Sequence, residues 1–203
     1  MPSVTTILDY HMEPELFAWY LKKGKATATR LSDEAKQIGS AVDEIVKAQV
    51  AQHPIPSSSM TAVTAPTNLS LRIASCLVAW ENFCEARPMV RQTMQTFEGE
   101  VVEGDLIGHP DFLLQFNGRQ GVLDLKTSRF LQPKHWTQVC QYRKMLKTPT
   151  FVALLRLDKE TGEYDYQTIE DHEVMAYEER VFDAYRVAYD HAQQVRERVR
   201  RIL

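Results

Sequence analysis

The chain has 203 residues, 44% of them hydrophobic and 25% charged, with a net charge of −3. That balance suits one soluble globular domain able to bury a core without disulfides, and no stretch approaches the roughly 18 uncharged apolar residues that a membrane span needs. The start carries neither a basic segment followed by an apolar run nor an Arg-rich, acid-poor leader, so a cytoplasmic protein is expected.

Pro14 in a first turn and Gly24 past an end bracket a short helix from Glu15 to Lys23, with Leu16, Phe17, Tyr20 and Leu21 on one side. Ser32 reads as the N-cap of a second helix running to about Gln52, whose apolar stripe is Ile38, Ala41, Val42, Ile45 and Val46. Residues 53–67 are rich in Pro, Ser and Thr and read as a loop. A third helix is expected from Leu69 to Ala86, stopped before Pro88, and residues 90–102 carry a strand or two. In DFLLQF-NG-RQGVLDLKTS, Asn117-Gly118 between two β-prone runs signals a hairpin, because a type I′ turn needs positive φ twice. Pro133 then opens a helix through Leu146, Phe151 to Leu157 is an apolar strand, and Tyr164 to Thr168 is an alternating one. Asp171 caps a long last helix. These elements predict an α/β (α+β) fold, a central mixed sheet flanked by helices. They form one domain over residues 1–203, in which a helical region (residues 1–88) precedes a sheet-and-helix region (residues 89–170) and a last helix (residues 171–203).

Charge and cysteine placement add two constraints. From Phe112 to Leu157 there are eight bases and one acid, Asp124, so the remainder of the chain is strongly acidic. Such segregation suits a polyanion bound at one face, or else a solvated basic helix. Cys76, Cys84 and Cys140 form no CxxC and read as buried small hydrophobes in a reducing compartment. Four thiolates for an iron–sulfur cluster cannot come from one such chain, so no cluster is expected.

With a two-residue turn, Phe116 faces Arg119, Phe112 faces Leu123 and Asp111 faces Asp124. Facing residues point to one side of a sheet with Cβ atoms about 5 Å apart. Phe112, Leu114, Phe116, Leu123 and Leu125 then form the core face, and Asp111, Asp124 and Lys126 lie on the other. Two facing carboxylates repel unless something compensates. A divalent cation such as Mg²⁺ does so with oxygen ligands, and Lys126 beside it can stabilise charge. The alternative is an ordinary hairpin end, with Lys126 as salt-bridge partner to both acids.

Gly108-His109-Pro110-Asp111, Asp124-Leu125-Lys126-Thr127-Ser128 and Gln138-Val139-Cys140-Gln141-Tyr142 together resemble the PD-(D/E)XK nuclease superfamily, in particular its RecB-type branch with the mitochondrial genome maintenance exonucleases. The resemblance implies a restriction-endonuclease-like core. It also implies that Asp111, Asp124 and Lys126 are catalytic, and that Asp111, Asp124 and the Leu125 carbonyl bind Mg²⁺ or Mn²⁺. Gln138 and Tyr142, one helical turn apart, would help place DNA, with Ser128, Arg129, Lys134 and Arg143 as further DNA contacts. Ala35, Gly39 and Asp43 fit an A-x-x-x-G-x-x-x-H helix except that Asp43 stands at the His position. Asp43 is either an oxygen ligand in its place or a surface helix residue. Relatives carry a Glu on the strand before G-x-x-D, for which Glu98 is the candidate and Glu100 the runner-up, and the resemblance makes Glu98 a further metal ligand. The expected function is a metal-dependent nuclease acting on DNA, single-stranded or at duplex ends. An exonuclease is favoured, and a recombination or repair setting fits the resemblance. The alternatives are an endonuclease and a nucleic-acid-binding protein that has lost cleavage.

Overall fold

The computed structural model describes residues 1–11, 14–64 and 67–202. The first half is helical. Helix α1 (Val4–Tyr10) starts at Ser3, whose hydroxyl accepts the Thr6 N–H at 3.1 Å. Its Val, Thr and Ile content hides it from propensity reasoning. Helix α2 (Pro14–Lys23) matches the expectation within a residue. Helix α3 (Lys25–Ala51) corrects the next one, since it begins directly after Gly24 and leaves Ser32 inside the helix. Gly24 has φ +74°, and that left-handed residue both ends α2 and admits α3 without a loop. The stretch expected as a loop contains helix α4 (Ser57–Thr64). There, hydroxyls of Thr61 and Thr64 return to the carbonyls of Ser57 and Met60, and Ser59 donates to Glu44 of α3. Its last two expected loop residues before Thr67 lie outside the described residues. Helix α5 (Asn68–Ala86) is capped reciprocally by Thr67 and Ser70.

Pro88 ends α5 and opens a short helix α6 (Pro88–Thr93) that runs straight into strand β1 (Met94–Thr96). A small hairpin follows, β2 (Val101–Glu103) and β3 (Leu106–Gly108). Then come β4 (Phe112–Phe116), β5 (Arg119–Lys126), helix α7 (Pro133–Leu146), β6 (Phe151–Leu157), β7 (Tyr164–Ile169) and helix α8 (His172–Ile202). Asn117 and Gly118 have φ of 51° and 73°, as the hairpin turn requires, and the β4–β5 register runs from Phe116↔Arg119 to Phe112↔Leu123 as expected. Asp171 accepts the Glu173 N–H at 2.8 Å and caps α8.

The five-stranded sheet has the order β1-β4-β5-β6-β7. Within it only the central β5–β6 pair is parallel, and α7 makes its crossover. The sheet is therefore mixed and flanked by helices. Both faces are covered, which corrects the expectation of a single core face. Ile38, Val42, Ile45 of α3 and Ile73, Trp80, Phe83 of α5 pack on Phe112, Leu114, Leu123 and Leu125. On the opposite face Val4 and Ile7 of α1, Val139 and Tyr142 of α7 and Phe182 of α8 pack on Val122, Val152 and Leu154. The strands β5 and β6 thus read as continuous apolar runs because a parallel pair is buried on both sides. No helix among the described residues is long and apolar enough to cross a membrane.

Gly121 of β5 sits under the Phe151 ring, where an added Cβ would lie 2.3 Å from ring carbons. Gly121→Ala is therefore expected to destabilise the protein by about 1–3 kcal/mol through overpacking. Urea unfolding checks this, and Phe151→Leu in the same background should recover some of the loss.

Candidate functional site

Strand β5 outlasts its neighbour β4. The ladder ends at Phe112↔Leu123, so the next N–H on that edge, that of Leu125, has no strand partner. Asp111 supplies one, its Oδ2 accepting the Leu125 N–H at 2.8 Å. Asp111 and Asp124 are thus not a ladder pair as expected. Asp111 instead turns to cap the free edge of β5, and its Oδ1 accepts from Lys47 Nζ at 2.9 Å. The same ammonium donates to Asp43 Oδ2, also at 2.9 Å. Asp43, at the position where the sequence pattern departs, is therefore drawn into the cluster by α3.

Asp124 points to the α7 side of the sheet and its side chain is only 3% exposed. Lys126, two residues on along the same face, is ion-paired with it through Oδ2. Lys126 Nζ donates to Gln138 Oε1 at 3.0 Å, and Gln138 Nε2 donates to the Tyr142 hydroxyl at 2.9 Å. Tyr142 is 1% exposed and its ring lies against Gly108, where a Cβ would meet it at 3.0 Å. The G-x-x-D and Q-x-x-x-Y segments are therefore in contact. Tyr142 is buried, whereas Gln138, nearly buried, still lines the smaller cleft on the α1 side and hydrogen-bonds Lys126.

The electrostatics follow from burial. Burial, then Asp111, pushes the Asp43 carboxyl up to about 6 against the opposing pull of Lys47. Burial pushes Asp124 up to about 7; Lys126 opposes this and Asp111 adds to it. Burial alone would lower the Lys126 ammonium, but Asp124 and then Asp111 outweigh it and hold it above the usual lysine range. His135, buried beside Lys126 and Lys134, is pushed down to about 3 and is neutral. Asp43 Oδ1 is buried without a hydrogen-bond partner, whereas Asp124 Oδ2 is met by the Lys126 ammonium. Unsatisfied buried carboxylate oxygens are costly and call for a further ligand. Among the described residues, however, no group of three His, Cys, Asp or Glu side chains is arranged to hold a metal ion. The donors are hard oxygens, the chemistry that Mg²⁺ and Mn²⁺ select, and Lys47 stands between two of the acids.

Two clefts meet Lys126. The larger, about 360 Å³, is lined by Ser32, Lys36, Gly39, Asp43, Leu125, Thr127, Ser128 and Lys159 as well. Gly39 keeps its wall low, since a Cβ there would reach Thr127 Oγ1 at 3.4 Å. The smaller, about 160 Å³, is lined by Thr5, Asp9, Lys134, His135 and Gln138 on the α1 side. Lys36, Lys47 and Lys159 escaped sequence reasoning. Lys47 had a local signal, its i,i+4 spacing from Asp43 on one helix.

The other expected contacts divide. Ser128 lines the larger cleft while donating to the Phe130 carbonyl. Arg129 is on the loop after β5, its guanidinium over the Phe130 ring. Lys134 lies in the smaller cleft, paired with Asp9. Arg143 is turned away and paired with Glu179 of α8, so it serves the α7–α8 seam and not the cleft. Glu98 is not on a strand but beyond β1, exposed and lining a third cleft with Lys47 and Glu44; Glu100 is exposed too. Arg119, Lys134, Arg143, Lys144 and Arg156 are all paired with acids that lie outside the basic stretch. Trp136 packs against the α7-side core, and all three cysteines are free, with Cys76 and Cys140 buried.

No protein-family model matches the chain, and no curated protein matches it. Similar solved structures include LHK-Exo in complex with dAMP, at a TM-score of 0.41 and 12% identity over 71% of this chain and 92% of that one. They also include SSO0001, at a TM-score of 0.37 and 12% identity over 90% of this chain and 74% of that one. At these scores neither likeness carries an argument about what this chain does.

Proposed function

We propose that the chain is a Mg²⁺- or Mn²⁺-dependent deoxyribonuclease, with an exonuclease acting on single strands or duplex ends as the favoured form. One observation carries this reading. Asp43 of α3 and Asp111, just before β4, share Lys47 close to the Asp124–Lys126 pair of β5, and Asp43 Oδ1 is buried without a partner at the edge of an open cleft. Asp111, Asp124, the Leu125 carbonyl and Asp43 would hold the cation only after drawing closer than they stand here, with water filling the remaining positions, and the cation would polarise a scissile phosphate and activate water. Lys126 remains cationic near neutrality, so it stabilises developing negative charge and does not serve as a base. Gln138 fixes the direction of its ammonium, and Tyr142 fixes Gln138. Lys36, Lys159, Thr127 and Ser128 line the cleft with donors suited to phosphate oxygens. Phe130, 65% exposed beside Arg129, offers a ring on which an unpaired base can stack.

The defining assay is hydrolysis of end-labelled DNA with Mg²⁺, Mn²⁺ or EDTA. Binding without cleavage under either metal would favour the non-cleaving alternative, and nicking of a closed circle would favour an endonuclease. Asp124→Asn and Lys126→Ala are each expected to lower cleavage by about 10²-fold or more while the fold is retained; cleavage near the wild-type rate in either refutes the assignment. Gln138→Leu should lower kcat about tenfold, as loss of an orienting hydrogen bond does, and leave DNA affinity in place. A weakened DNA Kd with unchanged kcat would return Gln138 to a contact role.

The raised carboxyls also predict a pH dependence. An acid whose folded pKa exceeds its unfolded value, about 4, stabilises the fold in its protonated form. That contribution is complete below the unfolded pKa and is lost as pH rises through about 6 for Asp43 and about 7 for Asp124. In EDTA, wild-type protein should therefore lose stability relative to Asp124→Asn between about pH 4 and about pH 7. Calorimetric melts showing a constant difference between the two would contradict the buried-acid account.

A further inference from the structure

Lys47 has no place in the expected site, yet it makes the site's most symmetric contact. Its Nζ lies 2.9 Å from Asp43 Oδ2 and 2.9 Å from Asp111 Oδ1. An ammonium held between two carboxylates neutralises them as a bound cation would. Asp43 Oδ1, on the same carboxylate, stays buried and unpartnered, so the lysine satisfies the pair incompletely. On the other side of Lys47 a cleft of about 300 Å³ opens, lined by Glu44, Ala51, His53, Phe97 and Glu98. Glu98 is exposed there and has no ion pair among the described residues. Glu44 is engaged by the Ser59 hydroxyl. A lysine carries its charge on a flexible four-carbon stem and can turn into such a space.

We propose that Lys47 is a built-in competitor for the divalent cation. While no cation is bound, its ammonium bridges Asp43 and Asp111. When a cation binds, the ammonium leaves them and swings into the adjoining cleft, where Glu98 receives it. Every cation that binds must displace an internal positive charge, so the site has a lower affinity than its carboxylates alone would give. Glu98 acts in this scheme as the acceptor of the displaced lysine and not as a ligand. The proposal rests on the metal-dependent reading above.

The test compares Mn²⁺ binding by isothermal titration calorimetry, without DNA, in the wild type, Lys47→Met and Lys47→Gln. Lys47→Gln keeps a hydrogen-bond donor and holds the comparison open if Lys47→Met does not fold. Both neutral variants are expected to bind Mn²⁺ at least about tenfold tighter. In wild-type protein, amine labelling read by mass spectrometry should find Lys47 protected in EDTA and reactive in saturating Mn²⁺, and Glu98→Gln should reduce Mn²⁺ affinity severalfold. Unchanged or weaker binding in the Lys47 variants, or a Lys47 that stays protected while wild-type protein binds Mn²⁺, overturns the proposal and leaves the metal reading standing. Absence of Mn²⁺ binding in all of the proteins removes the metal reading and the proposal together.

Discussion

A carboxylate taken out of water needs either a full set of donors or a counter-charge, and the core of this protein withholds the first from Asp124. Strand β5 carries it into the layer between the sheet and α7, among Val122, Val152 and Leu154, where only Lys126 stands close by. The arrangement around it answers that one burial. Lys126 is held to it by Gln138, Gln138 by Tyr142, and Tyr142 by the second hydrophobic core. On the opposite side Lys47 balances Asp43 and Asp111 in the same way. Three acids and two bases thus share a small volume, with one carboxylate oxygen, Asp43 Oδ1, left over.

How much of this was legible depended on whether the signal was local. The hairpin was, because Asn117-Gly118 dictates its turn and the alternation Phe112, Leu114, Phe116 dictates its register. Strand β6 and helix α7 were legible through an apolar run and a proline at the first turn. What escaped came from tertiary context. Helix α4 has a loop-like composition and forms against α3 through Ser59 and Glu44. The start of α3 was misplaced because a cap at Ser32 and a glycine junction at Gly24 leave similar marks in sequence. The end of the β4–β5 ladder one step short of Asp111 depends on an interaction with Leu125 that no pairing rule contains.

The charge pattern is the more instructive difference. A run of bases in sequence need not make a basic surface, because each long side chain finds acids from other segments of the chain. Arg119 meets Glu170, Arg143 meets Glu179 and Lys144 meets Asp183. The more exposed pairs, Arg119–Glu170 and Lys144–Asp183, contribute little to stability, but all three cancel the local field. Of the bases around the main cleft, Lys126 belongs to the basic stretch, but Lys36 and Lys159 come from segments outside it, which is why the linear count did not find them.

The contact between Gly108 and the Tyr142 ring ties together two positions that lie far apart in sequence. A side chain larger than hydrogen at 108 would push the ring, and through Gln138 the displacement would reach the ammonium of Lys126. The two positions are therefore epistatic: the fate of a substitution at one is set by the residue at the other. A Cβ at 108 would also meet Val101 at 3.0 Å, so a smaller ring-side residue at 142 relieves only one of two walls, and room for drift at 108 is inherited from both neighbours together.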